Sequence, residues 1–294
     1  ICSDLAGPIF LRREAWQECR GASDRSGSPW YPQLLRVTNK YGWQRIAHVP
    51  DVLISYLDRF PSDIESCLIG LVTDHHTKGV ASEVVPVNPT SWNVRYPLKN
   101  QKQSITIAVV SNGNFDFLSR CVNSITANTA YPHFEILVVV PKSSQGGLMD
   151  IELQQWLEIN RSRTDYLFQS ILVEKSATAA ECCNAAVAYS SNEMVLLIHE
   201  EAVILQENWL EELVRTLFSP DVAIASPCMA APETSQIREV GRILGLKGNL
   251  ASPYSNEAKL GESGYLDILR IARDVSVVSG GCLLVRKAAY QAVG

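Results

Sequence analysis

The sequence predicts an α/β protein in which a mostly parallel sheet carries helices on both faces, preceded by a smaller N-terminal α+β segment. Runs at 105–110, 134–140, 166–173 and 193–199 have the length of strands and are apolar on both faces, as in buried parallel sheets. Segments with apolar residues at helical spacing lie between these runs. Strands that alternate with helices in this way favour a parallel sheet with helical crossovers.

Capping residues mark the start of two of the predicted helices. Asn114 precedes apolar residues at helical spacing, which predicts a helix with Asn114 as its N-cap. Thr178 and Glu181 have the spacing of a capping box and predict a helix that reaches Tyr189. Residues 149–160 and 207–218 are also predicted as helices, and 277–286 as a strand.

Composition excludes several classes of protein. The net charge of −5 argues against a general nucleic-acid binder. No apolar run approaches the roughly 18 residues that a membrane helix needs. The eight cysteines include no CxxC pair, so a zinc site or a disulfide framework is not expected and a reducing cytoplasm fits best.

The strongest candidate site follows the strand predicted at 193–199, where Glu200 and Glu201 stand side by side. In open α/β sheets, ligands bind beyond the carboxyl ends of the strands. Two carboxylates there can hold a hard divalent cation, which can in turn hold a diphosphate. The alternative is a pair of solvated charges at a strand end. A histidine in the position of His199, just before them, is more often a structural hydrogen-bonding residue than a ligand.

Residues 104–294 resemble the family 2 glycosyltransferases with the GT-A fold, in particular the bacterial O-antigen and polysaccharide enzymes. The order and spacing of several segments carry this resemblance rather than any single motif: 105–125, 131–139, 184–187 with the strand at 193–198, 208–213, and 277–286. The resemblance implies a Rossmann-like nucleotide-diphospho-sugar transferase fold. It also implies transfer of a sugar from a nucleotide-diphosphate sugar to the hydroxyl of a glycan or lipid-linked acceptor.

The same resemblance implies a set of site residues. Mg²⁺ or Mn²⁺ is expected at Glu200 and Glu201, and the acceptor side at Gly280 and Gly281. The base that activates the acceptor is expected just after Gly294. The nucleotide-sugar site is expected at Ser111, Asn112, Gly113, Asn114, Val140, Lys142, Lys175, Asn184, His199 and Glu200.

Two departures from the family pattern favour an alternative function. Glutamates stand where the family's DxD-type motif has aspartates, and octahedral Mg²⁺ tolerates the extra methylene poorly. The aspartate that reads the nucleobase is replaced by Val140 and Pro141. The alternative is a catalytically degenerate module that binds a sugar nucleotide, a glycan or a neighbouring domain. A different nucleotide-binding α/β enzyme is disfavoured, because neither GxGxxG nor a P-loop is present.

The two ends of the chain resemble each other, which suggests a tandem arrangement. Residues 3–21 align without gaps on 276–294, with identical residues at Ser3, Gly7, Leu11, Arg13, Ala15 and Gly21. Chance likeness between two strand–helix units is the alternative to a repeat. Together with the start at Ile1, this predicts a fragment of a longer protein.

The domain prediction has three parts. Residues 1–60 are predicted as the end of a preceding transferase-like unit, 61–103 as a connector helix and linker, and 104–294 as the GT-A domain. The predicted partners are the sugar nucleotide, the acceptor and an adjacent transferase domain, with no nucleic acid. The predicted location is the cytoplasm, with peripheral association at the inner face of the membrane as a further expectation.

Overall fold

A computed structural model describes residues 11–19, 30–42, 83–88, 91–98, 103–142, 148–162, 166–219, 222–245, 250–264 and 267–293. The chain forms two compact units. The N-terminal unit comprises Ile1–Pro97 together with Gly261–Arg273, and the sheet unit comprises Leu98–Leu260 together with Asp274–Gly294. Within the predicted connector and linker at 61–103, residues 62–78 are predicted as the helix, and they lie outside the described residues.

The N-terminal unit contains two helices and a hairpin. Helix α1 (Arg13–Glu18) contacts α2 (Trp30–Tyr41) where Lys40 Nζ lies 3.0 Å from the carboxylate of Glu18. In the alignment of the chain ends, α1 falls on 286–291 and so overlaps the helix that closes the chain at Lys287–Val293.

The hairpin pairs β1 (Glu83–Asn88) with β2 (Ser91–Arg95) in antiparallel register. It holds the distant segment 267–272. The Asn93 amide accepts from Ala272 N at 2.8 Å and donates to Arg270 O at 3.3 Å, and the buried Ser91 hydroxyl donates to Asp267.

A six-stranded sheet forms the centre of the sheet unit. Its strands are β3 (Ile105–Val110), β4 (Phe134–Pro141), β5 (Leu167–Val173), β6 (Met194–His199), β7 (Ile224–Ala225) and β12 (Cys282–Arg286), in the spatial order β5-β4-β3-β6-β12-β7. The pairs among β3, β4, β5 and β6 are parallel, whereas β12 is antiparallel to both β6 and β7. The predicted mostly parallel sheet is confirmed.

Helices cover both faces of this sheet. One face packs against α3 (Phe115–Ala127), α4 (Leu148–Arg161) and α6 (Trp209–Leu217), and the other against α5 (Ala179–Tyr189) and α7 (Lys287–Val293). Alternation along β3 supplies both cores, because Ile107 faces the first group and Ala108 the second. The two-sided burial explains why these strands are apolar throughout.

The elements predicted between 105 and 217 are confirmed, and the region after them adds structure that the sequence did not indicate. Four short strands form two antiparallel pairs: β8 (Met229–Ala230) with β9 (Ile237–Glu239), and β10 (Ile243–Leu244) with β11 (Leu250–Ala251). The strand predicted at 277–286 begins only at Cys282, because Gly280 and Gly281 form a turn. None of the described helices combines the length and the apolarity that a bilayer crossing requires.

The capping box of α5 gives a direct test of local stability. Thr178 Oγ1 accepts from Glu181 N at 3.3 Å, and the Glu181 carboxylate accepts from Thr178 N at 2.7 Å, which lowers the pKa of Glu181. We expect Thr178→Ala to lower the free energy of unfolding by about 1 kcal/mol, because one helix N–H loses its acceptor. Urea denaturation measures this loss. Thr178→Ser keeps the hydroxyl and should unfold like the wild type, so an equal loss in both variants would contradict the assignment.

Candidate functional site at the carboxyl ends of β3 and β6

The sheet changes direction between β3 and β6. From β3 the chain goes to β4 and β5 on one side, and β6 then pairs with β3 on the other side. Ligands of open α/β sheets bind beyond the carboxyl ends of the strands at such a switch point. The turn Ser111–Asn114 follows β3, and Glu200 and Glu201 follow β6, which ends at His199. The structure therefore brings these two predicted segments together.

The turn after β3 has a defined conformation. Gly113 adopts φ +94°, a value that side-chain-bearing residues rarely take, and Asn114 caps α3 by accepting from Phe117 N at 3.2 Å. Gly113 N donates to the hydroxyl of Ser111 at 2.9 Å. Ser111 is 2% exposed, whereas Asn112 is exposed. The turn therefore presents the Asn112 side chain and buries that of Ser111.

Glu200 and Glu201, in the turn after β6, differ in their exposure. Glu200 is 2% exposed and its carboxylate accepts from the Ser111 hydroxyl and, at 3.0 Å, from Asn112 N. The side chain of Glu201 is 67% exposed, and one of its oxygens lies 4.0 Å from Nδ1 of His199. The other ring nitrogen of His199, Nε2, lies 3.1 Å from the Asn112 side-chain amide. The outward groups are thus Asn112, His199 and Glu201.

A buried thiol lies close to Glu200. Burial, and secondly the charge of Glu200, raise the pKa of Cys121 to about 12. Burial also raises the pKa of Cys282 to about 12. The Cys121 thiol donates to the backbone carbonyl of His199 at 3.8 Å. These cysteines are therefore neutral packing residues below the strand ends rather than nucleophiles.

Of the two glutamates, Glu201 is the more accessible to a metal ion. Each carboxylate oxygen of Glu200 accepts one hydrogen bond from the protein, and the residue is 2% exposed. Glu201 is exposed and has oxygen ligands that suit Mg²⁺ or Mn²⁺. Within the ranges that the structure describes, His, Cys, Asp and Glu residues form no group of three that could hold a metal ion. A cation at Glu201 would thus need further ligands other than a cluster of such side chains in these ranges.

The remaining predicted residues lie at different distances from this pair of strand ends. Val140 is buried in β4, and a Cβ on Gly113 would lie 3.6 Å from Pro141 Cγ, so the end of β4 adjoins the turn. Lys142, just after β4, forms an exposed ion pair with Glu174. Lys175 is exposed on the turn after β5. Asn184 is directed elsewhere, because its side-chain oxygen accepts from Tyr290 of α7 at 2.7 Å.

The two predicted acceptor-side glycines differ in their surroundings. The carbonyl of Gly281 accepts from His199 N at 3.0 Å, which places it beside the end of β6. A Cβ on Gly281 would lie 3.3 Å from the sulfur of Met229, whereas a Cβ on Gly280 would meet no atom within 4 Å. Close approach therefore accounts for Gly281 but not for Gly280.

Sequence reasoning missed a buried carboxylate, Glu239, in β9. Glu239 pairs with Met229 across β8 and β9, and Met229 packs on Gly281. Glu239 is 4% exposed; Oε2 accepts from Arg242 Nε at 2.8 Å, and Oε1 has no hydrogen-bond partner among the described residues. In the sequence, the only indication of this contact is the Glu–x–x–Arg spacing at 239–242. That spacing does not predict a buried carboxylate until β9 is known to pair with β8.

Comparison with known families shows to which family the sheet unit belongs. The model of the family described as "Glycosyltransferase like family 2" matches residues 102–294. The chain belongs to this family. The match covers all the strands and helices of the sheet unit described above, whose mixed, mostly parallel sheet is the GT-A arrangement expected from the sequence.

Two curated relatives from bacteria match at low identity. The O-antigen biosynthesis protein RfbC of Myxococcus xanthus is 24% identical over 219 residues, which cover 74% of this chain and 16% of that protein. The protein y4gI of Sinorhizobium fredii is 24% identical over 284 residues, which cover 91% of this chain and 30% of that protein. The chain thus spans less than a third of the length of either relative.

Solved glycosyltransferase structures align with part of this chain. The mannosyltransferase PcManGT from Pyrobaculum calidifontis, solved with GDP-Man and Mn²⁺, gives a TM-score of 0.46 at 16% identity over 66% of this chain and 47% of that chain. GalNAc-T7, solved with UDP, GalNAc and Mn²⁺, gives 0.48 at 13% identity over 68% and 38%. Both TM-scores are below 0.5, so family membership depends on the sequence match alone.

Proposed function

We propose that the sheet unit binds a nucleotide-diphosphate sugar and transfers its sugar to a hydroxyl of a glycan or lipid-linked acceptor in polysaccharide biosynthesis. The observation that carries this proposal is the set of outward polar groups at the switch point of the sheet, namely Asn112, His199 and Glu201. Membership of the glycosyltransferase family supports the reaction class. The low-identity match to an O-antigen biosynthesis protein supports the pathway.

The residues at the strand ends have distinct roles in this proposal. Asn112 and His199 supply hydrogen-bonding groups for the nucleotide, since both present polar atoms at the edge where β3 and β6 end. Glu201 would hold Mg²⁺ or Mn²⁺, which when bound neutralises negative charge on the diphosphate. Gly281, whose carbonyl accepts a hydrogen bond from His199 N, belongs to the acceptor side. The six described cysteines are free thiols, which supports a cytoplasmic location.

Calorimetric titration of the purified chain with UDP and GDP tests the proposal, with and without Mn²⁺. We expect saturable binding of at least one nucleotide, strengthened by the metal, because the negative charges of the diphosphate and of Glu201 repel each other unless a cation lies between them. Asn112→Ala should weaken this binding. Asn123→Ala changes an Asn on the same helical segment, α3, away from the turn, and should bind like the wild type. Absence of binding for both nucleotides under both conditions would refute the proposal.

A second candidate function is a degenerate transferase-like module that binds its ligand without turnover. Two observations favour it. Val140 and Pro141 provide no hydrogen-bonding side chain at the end of β4, where the family places a base-reading aspartate. Glu200 is turned inward, so only one of the two carboxylates is available to a cation. Nucleotide binding without sugar transfer or donor hydrolysis would support this alternative over the enzyme.

A further inference from the structure

Glu200 has the contacts of a residue that orders a turn rather than those of a ligand. It extends from the end of β6 to the turn after β3, where it accepts from Ser111 and from Asn112 N. Its own N–H donates to the carbonyl of Val110 at 3.1 Å. Backbone and side chain of one residue therefore join the ends of the two strands that border the switch point.

The hydrogen bonds continue from the carboxylate through the turn. The Ser111 hydroxyl donates to Glu200 and accepts from Gly113 N, so a single buried oxygen couples the carboxylate to the left-handed residue. Hydrogen bonds to an ionised carboxylate are stronger than bonds between neutral groups. Because Ser111 and Glu200 are each 2% exposed, water competes little for these bonds.

The length of the glutamate side chain suits this role. Glu200 and Glu201 are the central residues of the turn that follows β6, which Ala202 N closes by donating to His199 O at 3.0 Å, and in this turn Glu200 is buried whereas Glu201 is exposed. Aspartate would be shorter by one methylene, about 1.5 Å, and would leave the Asn112 N–H at 3.0 Å from Oε1 out of reach. The departure from a DxD-type motif thus coincides with a contact that only the longer side chain makes.

We propose that Glu200 is a positioning residue that fixes the turn Ser111–Gly113 so that Asn112 and His199 face the bound nucleotide, and that Glu200 does not ligate a cation. The inference rests on the function proposed above, since it assigns a role within that binding site. It separates the two glutamates: Glu200 acts through the turn, and Glu201 acts on the ligand.

Nucleotide affinity measured with and without Mn²⁺ distinguishes the two roles. We expect Glu200→Ala to raise the dissociation constant for UDP or GDP by about tenfold or more, since a buried charge-assisted hydrogen-bond pair is lost. The factor should be the same with and without Mn²⁺. Glu200→Gln should bind close to wild type, because its amide oxygen still accepts from Asn112 N and its amide nitrogen can donate to Ser111. Glu200→Asp should resemble Glu200→Ala.

Two outcomes would overturn the proposal. Loss of the Mn²⁺ dependence in Glu200→Ala would make Glu200 a metal ligand, and an unchanged dissociation constant would leave it without a role in binding. Melting temperatures of the three variants, measured in parallel, show whether each is folded. Glu200→Gln preserves the shape of the side chain and keeps the test usable if the alanine variant does not fold.

Hydrogen exchange in the ligand-free protein separates this proposal from the proposed function. The amide of Asn112 donates to Glu200, so we expect its exchange to speed up in Glu200→Ala and to stay slow in Glu200→Gln. A wild-type chain that binds no nucleotide would refute the proposed function and with it the presentation of Asn112 and His199 to a nucleotide. Unchanged exchange at Asn112 in Glu200→Ala would refute the positioning role independently of any binding result.

Discussion

We expect Leu196→Ala to lower the free energy of unfolding of the sheet unit by about 3 kcal/mol, within the 2–5 kcal/mol typical of buried leucine truncations. Leu196 is 0% exposed in the centre of β6. It lies between Ile107 of β3 and Leu284 of β12, which are both 0% exposed. The truncation leaves a cavity where three strands meet, and rigid strands on both sides prevent the cavity from closing.

Thermal denaturation of the chain measures this loss. For a unit of this size, about 3 kcal/mol corresponds to a fall in melting temperature of roughly 6–12 °C. Leu205→Ala is the matched control, because Leu205 is 66% exposed in the segment that follows β6. Its effect should stay within about 0.5 kcal/mol. Equal losses in the two variants would mean that Leu196 is not at the centre of the core.

The second large effect is expected at Glu201. If Mn²⁺ strengthens nucleotide binding through this carboxylate, Glu201→Ala should abolish the strengthening. A loss of about tenfold in affinity corresponds to about 1.4 kcal/mol. Since the side chain is 67% exposed and lies at a strand end, the stability of the fold should change little. The variant therefore separates metal-dependent binding from folding.

Paired titrations with and without Mn²⁺ provide the measurement. Glu207→Ala removes an exposed glutamate from the same segment and should keep the full metal dependence. Metal dependence that survives in Glu201→Ala would show that this carboxylate does not hold the cation. If the wild type binds the nucleotide with the same affinity with and without Mn²⁺, the degenerate module is favoured over the enzyme.

Much of the sheet unit could be predicted from the sequence because its signals are local. Buried parallel strands are apolar on both faces, and helix starts require particular capping side chains, so β3–β6 and the N-caps Asn114 and Thr178 follow from short segments alone. Short strands in the region 222–260 were not predicted. Strands of two or three residues carry too little periodicity to be recognised before their partners are known.

The sequence by itself determined the α/β class, the strand ends proposed as the site, and the residue types present there. Only the tertiary structure decided how those residues are used. The two adjacent glutamates cannot be told apart in the sequence, but in the turn after β6 the Glu200 carboxylate accepts from Ser111 and Asn112 whereas the Glu201 side chain is exposed. Asn184, 15 residues before His199 in the chain, is directed to Tyr290 of α7 instead. Periodicity reports which face of an element is buried, whereas the partner of a polar side chain depends on elements that are distant in sequence and meet only when the chain folds.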